Sequence, residues 1–186
     1  MDSEQEVIAA TRLWLEKAVI GLNLCPFAAS VYRDGRVRLR VSDQHSASAL
    51  LQELRAEMHY LIGVDPRRCE TTLLIHPRAL MDFIDYNEFL AQCDAAIAAA
   101  GLEGELQVAG FHPDFQFAGT EPSDIENYTN RSPYPMLHLL REASVERAVA
   151  AAPNTQQIYE RNIRTLRALG HEGWRKLWRG RRDLAG

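Results

Sequence analysis

The sequence predicts an α/β domain: a small, mostly parallel sheet of about three strands, flanked by helices, with extra helices at the N- and C-terminal ends. Three observations lead there. Segments with two-residue alternation or short β-branched runs take turns along the chain with segments of helical period. The connections between the strands are long enough to carry a helix, which makes each strand–helix–strand unit parallel and right-handed. A length of 186 residues, 46% hydrophobic and 25% charged, suits one soluble domain spanning residues 1–186. A chain of that size buries roughly 70% of its unfolded surface and needs no staple.

The elements follow in order. Ile8, Thr11, Leu15, Ala18 and Leu22, widened by Trp14 and Val19, form the stripe of an amphipathic helix that ends near residues 21–23. Residues 36–42 alternate strictly, with Val37, Leu39 and Val41 on one face and Arg36, Arg38 and Arg40 on the other, so they form a half-buried strand. The arginines read as a charged outer face, or as a basic surface extending towards a site. Leu50, Leu54, Met58 and Leu61 restore helical spacing, closed by Gly63. Residues 71–76 join β-branched Thr71, Thr72 and Ile75 to Leu73 and Leu74, as in a strand covered on both faces. Asp85 and Glu88 have capping-box spacing for a third helix with Phe89, Cys93, Ile97 and Ala100 inward. Residues 105–111 form the third strand.

After a long polar loop, Ser132 and Pro133 are placed to open a helix carrying Met136, Leu140 and Ala143. Asn154 with Gln157 starts another helix, through Ile158, Ile163, Leu166 and Leu169 to Gly170. Trp174, Leu177 and Trp178 suggest a last short one.

A net charge of −4 argues against a nucleic-acid partner. The basic cluster Arg175, Lys176, Arg179, Arg181 and Arg182 reads as a solvated end. The acidic start lacks a signal peptide's basic and apolar regions, and no run approaches the ~18 apolar residues of a membrane span. Cys25, Cys69 and Cys93 are widely spaced with no Cys-x-x-Cys pair, which suits a reducing compartment. The expectation is a cytoplasmic protein without nucleic-acid or membrane partners.

Chemistry concentrates in residues 110–117 and 126–135, where His, Asp, Asn, Arg and Tyr mix with Pro and aromatic groups. His76 and His112 each stand at the C-terminal end of a predicted strand, so parallel strands would bring both to the edge where α/β sites lie. His112 and Asp114, two apart on extended backbone, point to one side. With His138 as third ligand, and Glu142 one helical turn on, they suggest a site for one divalent ion, with Fe, Zn and Mn equally suited. Without a metal, His112 would be a general base oriented by Asp114, since imidazole titrates at about 6.5. The plain alternative has His112 bonded to backbone and Asp114 capping a turn.

Cys25 could instead be a nucleophile activated by His76 or His112 and oriented through Asn127 or Asp114. Asn127, Thr129, Asn130 and Arg131 precede the expected helix and could hold an anionic or amide-bearing substrate. They could equally be Asx turns, with Arg131 paired to Glu126. Cys93 and the tryptophans read as packing residues, and no nucleotide-binding glycine motif is present.

The segments Gly21-Leu22-Asn23-Leu24-Cys25-Pro26-Phe27, Phe111-His112-Pro113-Asp114-Phe115-Gln116-Phe117, residues 126–138 and Glu160-Arg161-Asn162-Ile163 carry a resemblance. Over residues 7–178 the chain resembles a bacterial family of uncharacterised proteins, domain of unknown function fourteen-fifteen. The resemblance implies a bacterial, stand-alone soluble protein and brings no activity or catalytic residue with it. The function expected from the residues is a small enzyme with a His112/Asp114-centred site, hydrolase-like or metal-dependent, acting on a small metabolite or peptide. The alternatives are Cys25-dependent acyl transfer and a non-catalytic protein that binds a ligand or metal.

Overall fold

The computed structural model describes residues 2–151 and 155–177. Ser3 opens α1 (Glu4–Trp14) with a reciprocal capping box: its hydroxyl accepts from Glu6 N–H, and the Glu6 carboxylate accepts from the Ser3 backbone. The helix then widens into a π-helical stretch, Leu15–Ile20. Gly21 ends it, where any Cβ would collide with the Lys17 carbonyl. A short helix that the sequence reading missed, α2 (Ala28–Arg33), leads into β1 (Val37–Val41).

The chain continues through α3 (Ala47–Gly63), β2 (Thr71–Ile75), α4 (Phe83–Ala99) and β3 (Leu106–Phe111). These elements fall where hydrophobic period placed them. The α4 cap is Asp82 rather than the Asp85–Glu88 pair, because its carboxylate reaches the N–H groups of Ile84 and Asp85.

One expectation is overturned beyond β3. The segment expected to continue a helix from Ser132 is a strand, β4 (Met136–Arg141), and the helix α5 begins only at Glu142 (Glu142–Ala151). Pro135 biases Tyr134 towards extended backbone, and Met136, Leu137 and Leu139 are fully buried. Leu and Met favour helix intrinsically, but burial on both faces of a central strand outweighs a few tenths of a kcal/mol per residue.

β4 inserts between β2 and β3, antiparallel to both, giving the order β1-β2-β4-β3. The three anticipated strands do run the same way. The sheet is nevertheless four-stranded, and two of its three pairings are antiparallel, so it is mixed rather than mostly parallel.

The pleat sends alternate residues to two separate cores. Leu74, Leu137, Leu139 and Leu106 meet α3 and α4 through Leu50, Leu54, Met58, Phe89 and Cys93. Leu73, Ile75 and Met136 meet α1 and the C-terminal helix α6 (Thr155–Lys176) through Val7, Trp14, Leu166 and Trp174. The result is three layers. Arg36, just before β1, pairs with Glu70 and Asp34, while Arg38 and Arg40 of β1 pair with Glu57 and Glu53 of α3, so the three brace the sheet edge. Helix α6 breaks at Gly170, where φ is 63°, as the stop signal implied. Asn154, Trp178, Arg179, Arg181 and Arg182 lie outside the described residues. Among the described residues no helix is long and apolar enough to cross a membrane.

Candidate functional site

His76 and His112 do reach the same edge. Ile75 and Phe111 both face Met136 across the ladder, so the next residue of each strand flanks the start of β4. Both imidazoles are fully buried and pack on Tyr86 of α4, at ring-centroid distances of 5.8 and 5.0 Å.

Backbone groups set their tautomers. His76 Nδ1–H donates to the Ala79 carbonyl at 2.9 Å, and Nε2 is buried without a partner among the described residues. His112 Nδ1 accepts the Asp114 N–H at 3.0 Å, which leaves Nε2–H to donate to the Leu80 carbonyl at 3.3 Å. Burial pulls the His76 pKa down to about 4 and lowers that of His112. Asp114 meets His112 through its backbone, and its side chain is exposed. The expected His112–Asp114 couple is therefore a turn, held by both ring nitrogens.

The metal set expected at His112, Asp114 and His138 does not assemble. The pleat of β3 turns His112 to the α4 side, whereas His138 of β4 faces the α1 side. Because residues 136–141 form a strand, His138 and Glu142 also lose the helical face that would have joined them. Among the described residues, no three His, Cys, Asp or Glu are grouped to hold a metal ion. Cys25 lies on the α1 side too, so neither His76 nor His112 of the Tyr86 cluster is its base.

The polar loop spends its side chains on itself. Asn127, fully buried, accepts from Phe117 N–H and Thr120 Oγ1 and donates to the Glu121 carbonyl. Asn130 donates to the Gly110 carbonyl. Arg131 lies 4.4 Å over the Tyr128 ring and donates to the Phe115 and Pro122 carbonyls, while Glu126 pairs with Arg167 instead. Thr129 is half-buried in the 3₁₀ turn Ile125–Thr129. Trp14 Nε1 donates to the Arg131 carbonyl, which ties the loop to α1. These residues form a clamp, and the helix N-terminus they were expected to precede is absent there.

The opening lies on the other face of the sheet. A cavity of about 380 Å³ sits between the sheet and the helical layer. Its floor crosses all four strands at Val37, Leu73, His138 and Ala109. Trp14, Val19 and Cys25 wall one side, and Val145 and Ala148 of α5 roof another. Its lining is predominantly apolar. Cys25, half-buried, is carried there by a loop that α6 holds: Asn162 donates to the Leu24 carbonyl at 2.8 Å, and Arg161 donates to the Asn23 carbonyl. The motifs around Cys25 and Arg161-Asn162 are thus two halves of one fastening.

Of the polar groups that line the cavity, His138, Thr71 and Gln107 lie on the sheet floor, with His138 directly between Leu73 and Ala109. His138 Nε2 lies 2.7 Å from Thr71 Oγ1, and burial lowers its pKa to about 4, keeping the ring neutral near pH 7. Nδ1 makes no hydrogen bond to a described residue, and it is not among the fully enclosed atoms without partners. What surface it keeps opens on the cavity. The sequence flagged His138 and Cys25, but for other partners; the small residues in the lining, Ala28, Ala109 and Ala148, carry no sequence signal.

Fold and site together define a three-layer α/β protein with a mixed four-stranded sheet and a partly open, largely apolar cavity on one of its faces. The chain belongs to the family described as "Protein of unknown function (DUF1415)", whose model matches residues 6–176. Comparison with curated proteins and with solved structures finds no match.

Proposed function

We propose that this protein binds a small, largely apolar molecule in the cavity between the sheet and the α1–α5 layer, with His138 as its polar anchor. One observation carries the reading: the cavity holds about 380 Å³ of space against a predominantly apolar lining that contains an imidazole nitrogen without a partner among the described residues. Ligand pockets are mostly apolar with a few placed polar groups. Since a 150 Å³ apolar cavity takes up benzene, this one accommodates roughly 15 non-hydrogen atoms. At ~0.3–0.5 kcal/mol per atom, a ligand of about that size binds with a Kd in the micromolar to millimolar range.

Binding fits the groups better than hydrolysis does. His112 has both nitrogens committed to backbone. Cys25 shares the cavity with His138, the specific observation that favours acyl transfer as a second reading. A ring whose pKa is about 4 holds a proton roughly 300-fold less well than ordinary imidazole, which makes it a weak base for activating a thiol.

The test is calorimetric titration of the protein and of Ala109→Phe with 1-naphthol. Ala109 sits beside His138 on the floor, so the larger ring fills the space. Saturable binding to the natural protein that Ala109→Phe abolishes, with the melting temperature kept or raised, supports the proposal. Absence of binding, or equal binding to both proteins, refutes it.

A further inference from the structure

The Thr71 hydroxyl lies between two hydrogen-bonding partners. It has one proton and lies 2.5 Å from the Leu139 carbonyl, which can only accept, so that proton is spent there. The same oxygen is 2.7 Å from His138 Nε2. With no proton left to offer, the hydroxyl accepts, and Nε2 must be the protonated nitrogen of a neutral ring. Nδ1, which no described residue partners, is then a bare lone pair that is not fully enclosed, on a ring that lines the predominantly apolar cavity.

Resting on the cavity reading above, we infer that Thr71 makes the site selective for apolar molecules bearing a hydrogen-bond donor, such as a phenol, alcohol or amide N–H. It selects against isosteres that present only an acceptor. A donor satisfies Nδ1. An ether oxygen in the same place sets two lone pairs against each other and leaves both unpaired, and a buried unmade hydrogen bond is costly. The pleat explains why the selector is built this way. Thr71 of β2 and His138 of β4 are diagonal neighbours on one sheet face, with Leu73 directly opposite His138 and Ala109 on its other side. The hydroxyl therefore reaches Nε2 sideways while Nδ1 stays clear.

Three aryl probes, 1-naphthol, 1-methoxynaphthalene and naphthalene, titrated calorimetrically into the natural protein and Thr71→Val, test this. In the natural protein 1-naphthol binds at least tenfold more tightly than 1-methoxynaphthalene. In Thr71→Val, of nearly the same shape, the ring is free to carry its proton on Nδ1, and the preference falls to threefold or less. Equal binding of the probes by the natural protein overturns this inference and leaves the cavity reading standing, as does a full preference kept in Thr71→Val. Failure of all three to bind overturns both. Should Thr71→Val not fold, long-range ¹H–¹⁵N spectra of the natural protein read the tautomer directly: a proton on His138 Nε2 supports the assignment, and one on Nδ1 refutes it.

Discussion

Lowering the pH from 7.5 to 5 should destabilise this protein through two histidines it holds neutral. His76 and His138 each have a folded pKa of about 4, against the ordinary 6.5 of an unfolded chain, and burial is the leading cause in both. A depressed pKa means the unfolded chain binds the proton first. Stability is therefore full above pH 6.5 and falls as pH drops towards 4. Between pH 7.5 and 5 the difference amounts to about 2 kcal/mol for each ring, or about 4 for the pair. His112, shifted the same way, adds to the loss.

With a urea dependence near 2 kcal/mol per molar, the unfolding midpoint should fall by about 2 M over that interval. Two substitutions isolate the rings. Asn at position 76 can keep the donor that Nδ1 offers to Ala79, and Gln at position 138 can keep the donor that Nε2 offers to Thr71. The double variant His76→Asn, His138→Gln should lose most of the pH slope. A midpoint that does not move between pH 7.5 and 5, or a double variant with the original slope, would show that the buried rings are not held neutral as described.

Three further outcomes follow from named contacts. Asn127→Ala removes three side-chain hydrogen bonds from residues 117–121 and should cost about 2–4 kcal/mol, with amide exchange rising across residues 115–130 and little change in β2. Gly110→Ala would place a Cβ 2.6 Å from the Tyr86 hydroxyl, which is fixed by its bond to the Met136 carbonyl; urea unfolding should register a loss of about 1–3 kcal/mol. Alkylation of Cys25 should slow when 1-naphthol occupies the cavity it lines, and should speed up in Asn162→Ala, where the loop loses its hold on α6; mass spectrometry of the labelled peptide reads both.

What the sequence left illegible has a common cause. Strand β4 reads as helix because Met136, Leu137, Leu139 and Leu140 are good helix formers, and so short a run, broken only by His138, has no period of its own. Only neighbours on both sides make it a strand. The polar loop drew the functional reading because unpaired Asn, Arg and His side chains in a string resemble a site. In the structure each of Asn127, Asn130, Arg131 and His112 finds a carbonyl or N–H within the same loop or the strand ends beside it. Composition cannot distinguish a set of groups that satisfy one another from a set that awaits a ligand.

The chain alone determined its period: where along the sequence β1, β2, β3, α3 and α4 fall, that His76 and His112 share an edge, and that Cys93 packs in the core. Those properties depend on spacing along the backbone, which a string of residues contains. Tertiary structure alone decided which face of the sheet each side chain occupies. One inserted strand parted His138 from His112, gave it Thr71 as partner, and left Ala109 beside it over empty space. A cavity is a volume that residues distant in sequence fail to fill, and no local pattern records an absence that arises only when they meet.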